Sequence, residues 1–240
     1  MFFKNAIQYL TTQELPDLQQ RKFRNPTPKE LSYTGFAPVE DDLYVVNGLF
    51  CLRHAEKIIP ASAVDYRVEQ LAAGRKVSKG ELSAMKESVI REAAVHALVK
   101  VTDTYAYLGG GKLIINTASH STAERVVSHL RALSGTFAVE KMPELRLSEV
   151  FTQHGDFSIG EKAVFTSADE KVSYAGPDPH SKLANYDVAK VSMSLNDVSF
   201  AVDKQFVLSN IKMVEKPEDL RTDIALSIGA INEITKELQK

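Results

Sequence analysis

The sequence predicts an α+β fold: antiparallel sheets with a helical hairpin and a C-terminal helix. Three observations carry the prediction. Helices and strands come in runs rather than in strict alternation, which argues against a parallel, doubly wound sheet. Residues 62–100 hold two consecutive helix-period segments broken at Gly74. The second half alternates apolar and polar residues over short stretches and closes on one long amphipathic segment.

The elements follow in chain order. Phe2 to Leu10 reads as an opening strand, ended by Thr11-Thr12-Gln13. Gln19 to Pro38 holds three prolines and several charges, and predicts irregular structure with one short helix. Leu43 to Leu52 reads as strand interrupted at Asn47-Gly48, a strong turn dipeptide. Lys57-Ile58-Ile59 is a short extended piece closed by Pro60. Ser62 is placed to cap a first helix running to about Ala73. Ser78 with Glu81 three residues on is a capping box for a second, running to about Val99. Leu82, Met85, Val89 and Ala93 form its apolar stripe. Thr104–Leu108 and Lys112–Asn116 read as strands joined by three glycines. Ser121 and Glu124 open a third helix whose face carries Ala123, Val126, Val127, Leu130 and Leu133, with Gly135 as its stop. Val191, Met193 and Leu195, then Val198, Phe200 and Val202, mark two strands around an Asn196-Asp197 turn, and Phe206–Met213 continues the meander. Pro217 opens a final helix, with Glu218 and Asp219 in its first turn and Lys236 and Lys240 in its last, as the helix dipole favours. Ile224, Ile231 and Leu238 line it at intervals of seven, with Leu220 and Ile228 beside them. A soft boundary near 140–155 divides the chain into an N-terminal region, 1–145, and a C-terminal meander plus helix, 146–240; one continuous domain is the other reading.

With 240 residues the chain can bury a substantial core. Cys51 is the only cysteine, which excludes an intrachain disulfide and any multi-cysteine zinc site and fits a reducing cytoplasm. No secretory signal and no apolar run of membrane-spanning length is expected. The net charge of −2 is unevenly spread: residues 1–100 carry 14 Lys and Arg against 12 Asp and Glu, whereas residues 151–240 carry 10 against 14. Composition alone therefore neither supports nor excludes nucleic acid.

Catalytic signals are poor. Gly109-Gly110-Gly111-Lys112 lacks the four-residue glycine spacing of a phosphate loop, and Leu113 leads into a strand, so a glycine hairpin is the expectation. The six histidines show no HExxH spacing, and Cys51 in an apolar strand reads as a buried thiol. No enzyme, metal or cofactor is expected. The strongest polar signal lies in the hairpin, where Arg75-Lys76-Val77-Ser78-Lys79 puts three cations in one inter-helix turn. The bland reading is a solvated tip, because Asp65, Glu69, Glu81, Glu87 and Glu92 are interspersed.

Several stretches resemble the RdgC family of recombination-associated proteins. They are Phe3-Lys4-Asn5, Gly35-Phe36-Ala37-Pro38, Asn47-Gly48, and above all Ala55-Glu56-Lys57-Ile58-Ile59-Pro60 leading into a charged hairpin. The glycine-turn strands ending at Asn116-Thr117-Ala118-Ser119 and the Ala123-Glu124 helix follow in the same order. The resemblance is good over 1–135 and thin after about 145. The chain is shorter than well-known members, and it reads Tyr174-Ala175-Gly176-Pro177 where many have a basic-basic-glutamine element. The resemblance implies a ring-forming homodimer around double-stranded DNA, competition with RecA, and a cytoplasmic, nucleoid-associated place. Arg75, Lys76, Lys79 and Lys86, then Lys112 and Lys190, are the expected phosphate contacts. The long stripe on the final helix is the expected dimer surface, with packing on its own sheet as the alternative. A module that binds a recombination protein directly, with weak DNA contact, is the competing function.

Overall fold

The computed structural model describes residues 2–153, 157–166, 171–175, 187–214, 217 and 219–239. It is α+β, with antiparallel sheets. The chain forms two compact units: residues 17–105, and residues 1–16 together with 106–240.

The 17–105 unit opens with a 3-10 turn, Leu18–Arg21, capped by the Asp17 carboxylate, which accepts the Gln19 N–H at 3.1 Å. Strand β2, Ser32–Ala37, was not expected among the prolines. Its pairing with β4, Leu49–Lys57, supplies the backbone partners that local propensity does not. The two-residue strand β3, Val45–Val46, joins β4 through the Asn47-Gly48 turn. Gly35 has a specific reason to be glycine. A Cβ there would lie 2.9 Å from the carbonyl oxygens of Arg21 and Lys22 and from the Phe23 Cα, because segment 21–23 crosses β2 directly over it. The Phe23 N–H donates to Phe36 O at 2.7 Å in the same crossing. A Gly35→Ala variant is expected to lose about 1–3 kcal/mol of stability, since backbone rather than a flexible side chain must shift. Denaturant unfolding reads this as a lower midpoint with an unchanged slope.

Helices α1, Ala61–Ala72, and α2, Lys79–Ala94, form the expected hairpin. Ser78 and Glu81 make the capping box in full, but Ser62 caps nothing: Pro60 is the N-cap of α1. Helix α2 ends at Ala94, earlier than predicted, and after a short turn Val99 begins strand β5, Val99–Gly109. The hairpin core is thin. Val64, Val68 and Val89 are buried, with Ile59, Met85 and Ile90 packed around them, while Leu82 of the expected stripe is exposed.

Strand β5 runs on into the second unit, where its end pairs with β6, Lys112–Ile115, and β6 pairs with β1, Ile7–Leu10. Gly110 and Gly111 both take positive φ, 59° and 75°, the two-residue hairpin turn that replaces any phosphate loop. A two-residue strand, β7 (Glu140–Lys141), pairs with the other side of β1. Helix α3 spans His120–Ser134; its N-cap is Ser119, two residues before the expected Ser121, and it ends at Gly135. A short helix α4, Leu147–Gln153, precedes a second sheet. That sheet comprises β8 (Ser158–Thr166), β9 (Lys171–Ala175), β10 (Asp187–Leu195), β11 (Val198–Asp203) and β12 (Leu208–Met213), in the order β12-β11-β10-β8-β9. Gly176 and Pro177 lie outside the described residues, as do Glu218 and Lys240.

Helix α5, Leu220–Leu238, is capped by Asp219, so Pro217 stands outside it. Its buried face is Ser227, Ala230, Ile231, Ile234, Thr235 and Leu238. That face is fastened to the chain's own first strand. Asp223 Oδ1 accepts the Phe2 N–H at 2.7 Å, and the buried Gln8 amide donates to Thr235 Oγ1 at 2.8 Å. On the opposite face of β1, the Tyr9 hydroxyl donates to Glu124 of α3 at 3.1 Å. Burial, with Glu124 beside it, raises the Tyr9 pKa. Strand β1 is thus buried on both faces, which is why Ile7, Gln8 and Tyr9 are all inaccessible.

Candidate nucleic-acid interface

The hairpin turn presents its cations to solvent. Ala73 and Gly74, both at positive φ, end α1, and Ser78 starts α2, so residues 74–78 are a tight exposed connection. Arg75, Lys76 and Lys79 are exposed. Among the described residues, none of the three is held in an ion pair; Arg75 Nε donates only to Ala72 O at 3.4 Å. Glu81, the acid nearest in sequence, is turned back on Ser78, whose N–H and hydroxyl hold its carboxyl below the ordinary range. The turn is therefore a concentration of positive charge whose neighbouring carboxylate is hydrogen-bonded mainly to the helix cap, with a weaker attraction to Arg75.

The other expected contacts are placed differently. Lys86 bridges the hairpin, its Nζ 2.7 Å from Asp65 of α1. Arg91 is paired with Glu87 one turn away. Lys112 does not extend freely from the glycine turn. Its side chain shares the β6 face that carries α5, donates to Asn232 Oδ1 at 3.3 Å, and has its pKa lowered by burial. Lys190 is a half-buried residue of β10, opposite Asp203 of β11. The structure brings Arg75, Lys76, Lys79 and Lys86 together on one hairpin, while Lys112 and Lys190 belong to the other unit.

Two features of the 17–105 unit escaped the sequence reading. One is the segment Arg21-Lys22-Phe23-Arg24-Asn25-Pro26-Thr27-Pro28-Lys29, with four cations in nine residues. Its density was legible, but the prolines masked any sign that it is ordered. The other is an apolar surface at the hairpin base. A groove of about 450 Å³ is lined by Ile58, Ile59, Pro60, Ala63, Val64 and Ala93 with neighbours from both helices. Beside it Leu98 is 79% exposed, with Ile58, Val95 and Val101 also out in solvent. Leu98 is held there by its own carbonyl, which accepts the Ile58 N–H at 2.8 Å.

Two groups with catalytic potential among the described residues, Cys51 and Asp103, are otherwise engaged. Cys51 is buried, and burial with Asp103 nearby pushes its thiol up to about 12, the opposite of nucleophile activation. Asp103 is held bidentately by Arg53 at 2.6 and 2.7 Å. Among the described residues no group of three His, Cys, Asp or Glu is arranged to hold a metal ion. Among them, too, no helix is long and apolar enough to cross a membrane.

The family described as "Putative exonuclease, RdgC" matches residues 1–238. The chain belongs to the RdgC family. Curated relatives agree with that membership. A "Recombination-associated protein RdgC" from Pseudomonas fluorescens (strain Pf0-1) is 34% identical over 166 residues, covering 59% of this chain and 54% of the relative. One from Colwellia psychrerythraea is 30% identical over 137 residues, 50% of this chain and 45% of the relative. One from Psychromonas ingrahamii is 24% identical over 265 residues, 93% of this chain and 88% of the relative. The matched stretch thus spans about half the length of the first two of these RdgC relatives and most of the third. The relatives' names describe recombination-associated proteins and no enzyme, whereas the family description includes a nuclease.

Proposed function

We propose that this RdgC-family chain acts in recombination as a double-stranded DNA-binding protein without sequence preference and without catalytic chemistry. The observation that carries this is the hairpin turn: Arg75, Lys76 and Lys79 exposed together, unpaired among the described residues, with Glu81 engaged by the helix cap. Cations on such a turn can neutralise phosphates, and phosphate contacts position a protein on the duplex without reading its sequence. Lys86 adds to the contact by exchanging Asp65 for a phosphate, while Lys112 and Lys190 are weaker contributors because both are half-buried. The working form in this proposal is a ring-type homodimer, associated with the nucleoid, that limits RecA access by occupying the duplex. Helix α5 is spent on β1, so the second copy is assigned to the apolar surface around Leu98 instead.

The test is a salt titration of duplex binding. Log affinity is expected to fall roughly linearly with log salt, by about 0.9 per neutralised phosphate. The Arg75→Ala, Lys76→Ala, Lys79→Ala triple variant is expected to weaken binding to unrelated sequences alike and to flatten the slope by about two to three units. Unchanged affinity and slope make the turn a solvated tip. Wild-type binding with no salt dependence, or none at all, removes the DNA reading and favours direct capture of a recombination protein.

A further inference from the structure

We infer that segment Arg21–Lys29 is a second phosphate-binding strip for duplex DNA, in which Arg21, Lys22 and Lys29 are the contacts and the Arg24–Glu30 pair is the support. The inference rests on the DNA-binding reading above and adds a site to it.

Charge is the first argument. Among the described residues Arg21, Lys22 and Lys29 have no carboxylate partner, and Lys22 and Lys29 are exposed. The acid closest in sequence, Glu30, is consumed by Arg24 through two bonds of 2.7 Å and by the Thr27 N–H at 2.8 Å. Those bonds, Arg24's first, hold the Glu30 carboxyl down to about 2. Its folded value is depressed, so the clamp persists at neutral pH and is lost only as pH falls toward 2.

Rigidity is the second. An exposed basic loop in free motion loses entropy on binding, and a pre-ordered one loses less. Here the backbone of 21–23 is laid on β2 over Gly35. Phe23 is bonded to Phe36, and Lys57 Nζ donates to Thr27 O and Pro28 O, both at 2.8 Å. Pro26 and Pro28 fix φ on either side of Thr27.

The aromatic rings decide the ligand class. The Arg24 guanidinium lies 4.0 Å from the Tyr33 ring centroid, and that of Arg53 lies 5.5 Å from Phe23. The two rings are tilted against each other by 57°. A base-stacking platform needs open, presented faces. Each ring has a guanidinium group over one face, which leaves less ring surface for stacking a base and favours contact of the strip's cations with backbone phosphates.

The experiment compares the full chain with an Arg21→Ala, Lys22→Ala, Lys29→Ala variant in duplex salt titrations on two unrelated sequences. A thermal melt confirms folding. The expected result is a slope shallower by about two to three units on both sequences, restored by Arg21→Lys, Lys22→Arg, Lys29→Arg. If this variant binds as the parent does while the hairpin-turn variant is impaired, the strip is refuted and the DNA reading stands. If the parent binds no duplex, both fall. The strip is equally refuted if its cations are needed only for phosphatidylglycerol vesicles and never for duplex.

Discussion

Leu98→Asp is expected to turn a dimeric protein into a monomer. Leu98 is 79% exposed at the hairpin base, beside a groove lined mostly by aliphatic side chains, with Arg67, Glu92 and His96 also in its lining. An exposed apolar side chain next to an apolar groove suits a two-fold contact, in which each copy supplies both parts. Burying a leucine contributes about 1.5–3 kcal/mol, counted twice by the symmetry. An aspartate in its place must be desolvated, which adds further cost on each side. A loss of about 4 kcal/mol is a thousandfold in dissociation constant. Sedimentation at micromolar concentration should therefore show a dimer for the parent and a monomer for the variant. The folded monomer should melt as before, because the side chain has little to lose in its own chain. A monomeric parent, or a variant that stays dimeric, removes this surface from the proposal.

Ile231→Ala is expected to cost about 2–5 kcal/mol. Ile231 is fully buried on the face of α5 that also carries Ser227, Thr235 and Leu238. For a chain of this size about 3 kcal/mol lowers the melting temperature by about 6–12 °C. The decisive feature is concentration. A helix packed within its own chain loses the same stability at every protein concentration, whereas a helix at a subunit interface loses more on dilution. Invariance is the expected outcome, and a concentration-dependent loss would return α5 to the dimer contact.

The two expectations concern the same question and show where sequence reading stops. The seven-residue stripe of Ile224, Ile231 and Leu238 was visible, and so was its helix. The partner was not. Periodicity says that a face must be covered, and is silent on what covers it. The answer came from polar residues: Ser227 and Thr235 on the helix meet Phe2, Phe3 and Gln8 at the other end of the chain. Strand β2 was missed for a related reason. Its neighbours Pro26, Pro28 and Pro38 signal irregularity locally, while its hydrogen bonds come from β4, residues away.

The candidate site divides the same way. That Arg75, Lys76 and Lys79 share one turn follows from the Gly74 stop and the Ser78 capping box, both local signals with local physical causes. The glycine hairpin at 109–111 likewise follows from its spacing. What each cation faces is not local. Asp65 reaches Lys86 across a helix pair, and Asn232 reaches Lys112 through the packing of α5 on the sheet. The order of segment 21–29 depends on Gly35, Lys57 and Phe36, which lie on two paired strands. The sequence by itself determined the α+β class, the hairpin with the Ser78–Glu81 capping box of its second helix, the glycine turns and the family resemblance, because these rest on short-range periodicity, capping and turn chemistry. Only the tertiary structure decided which cations are neutralised, which loop is rigid and which apolar face is left open, because each depends on residues that meet only when distant segments pack.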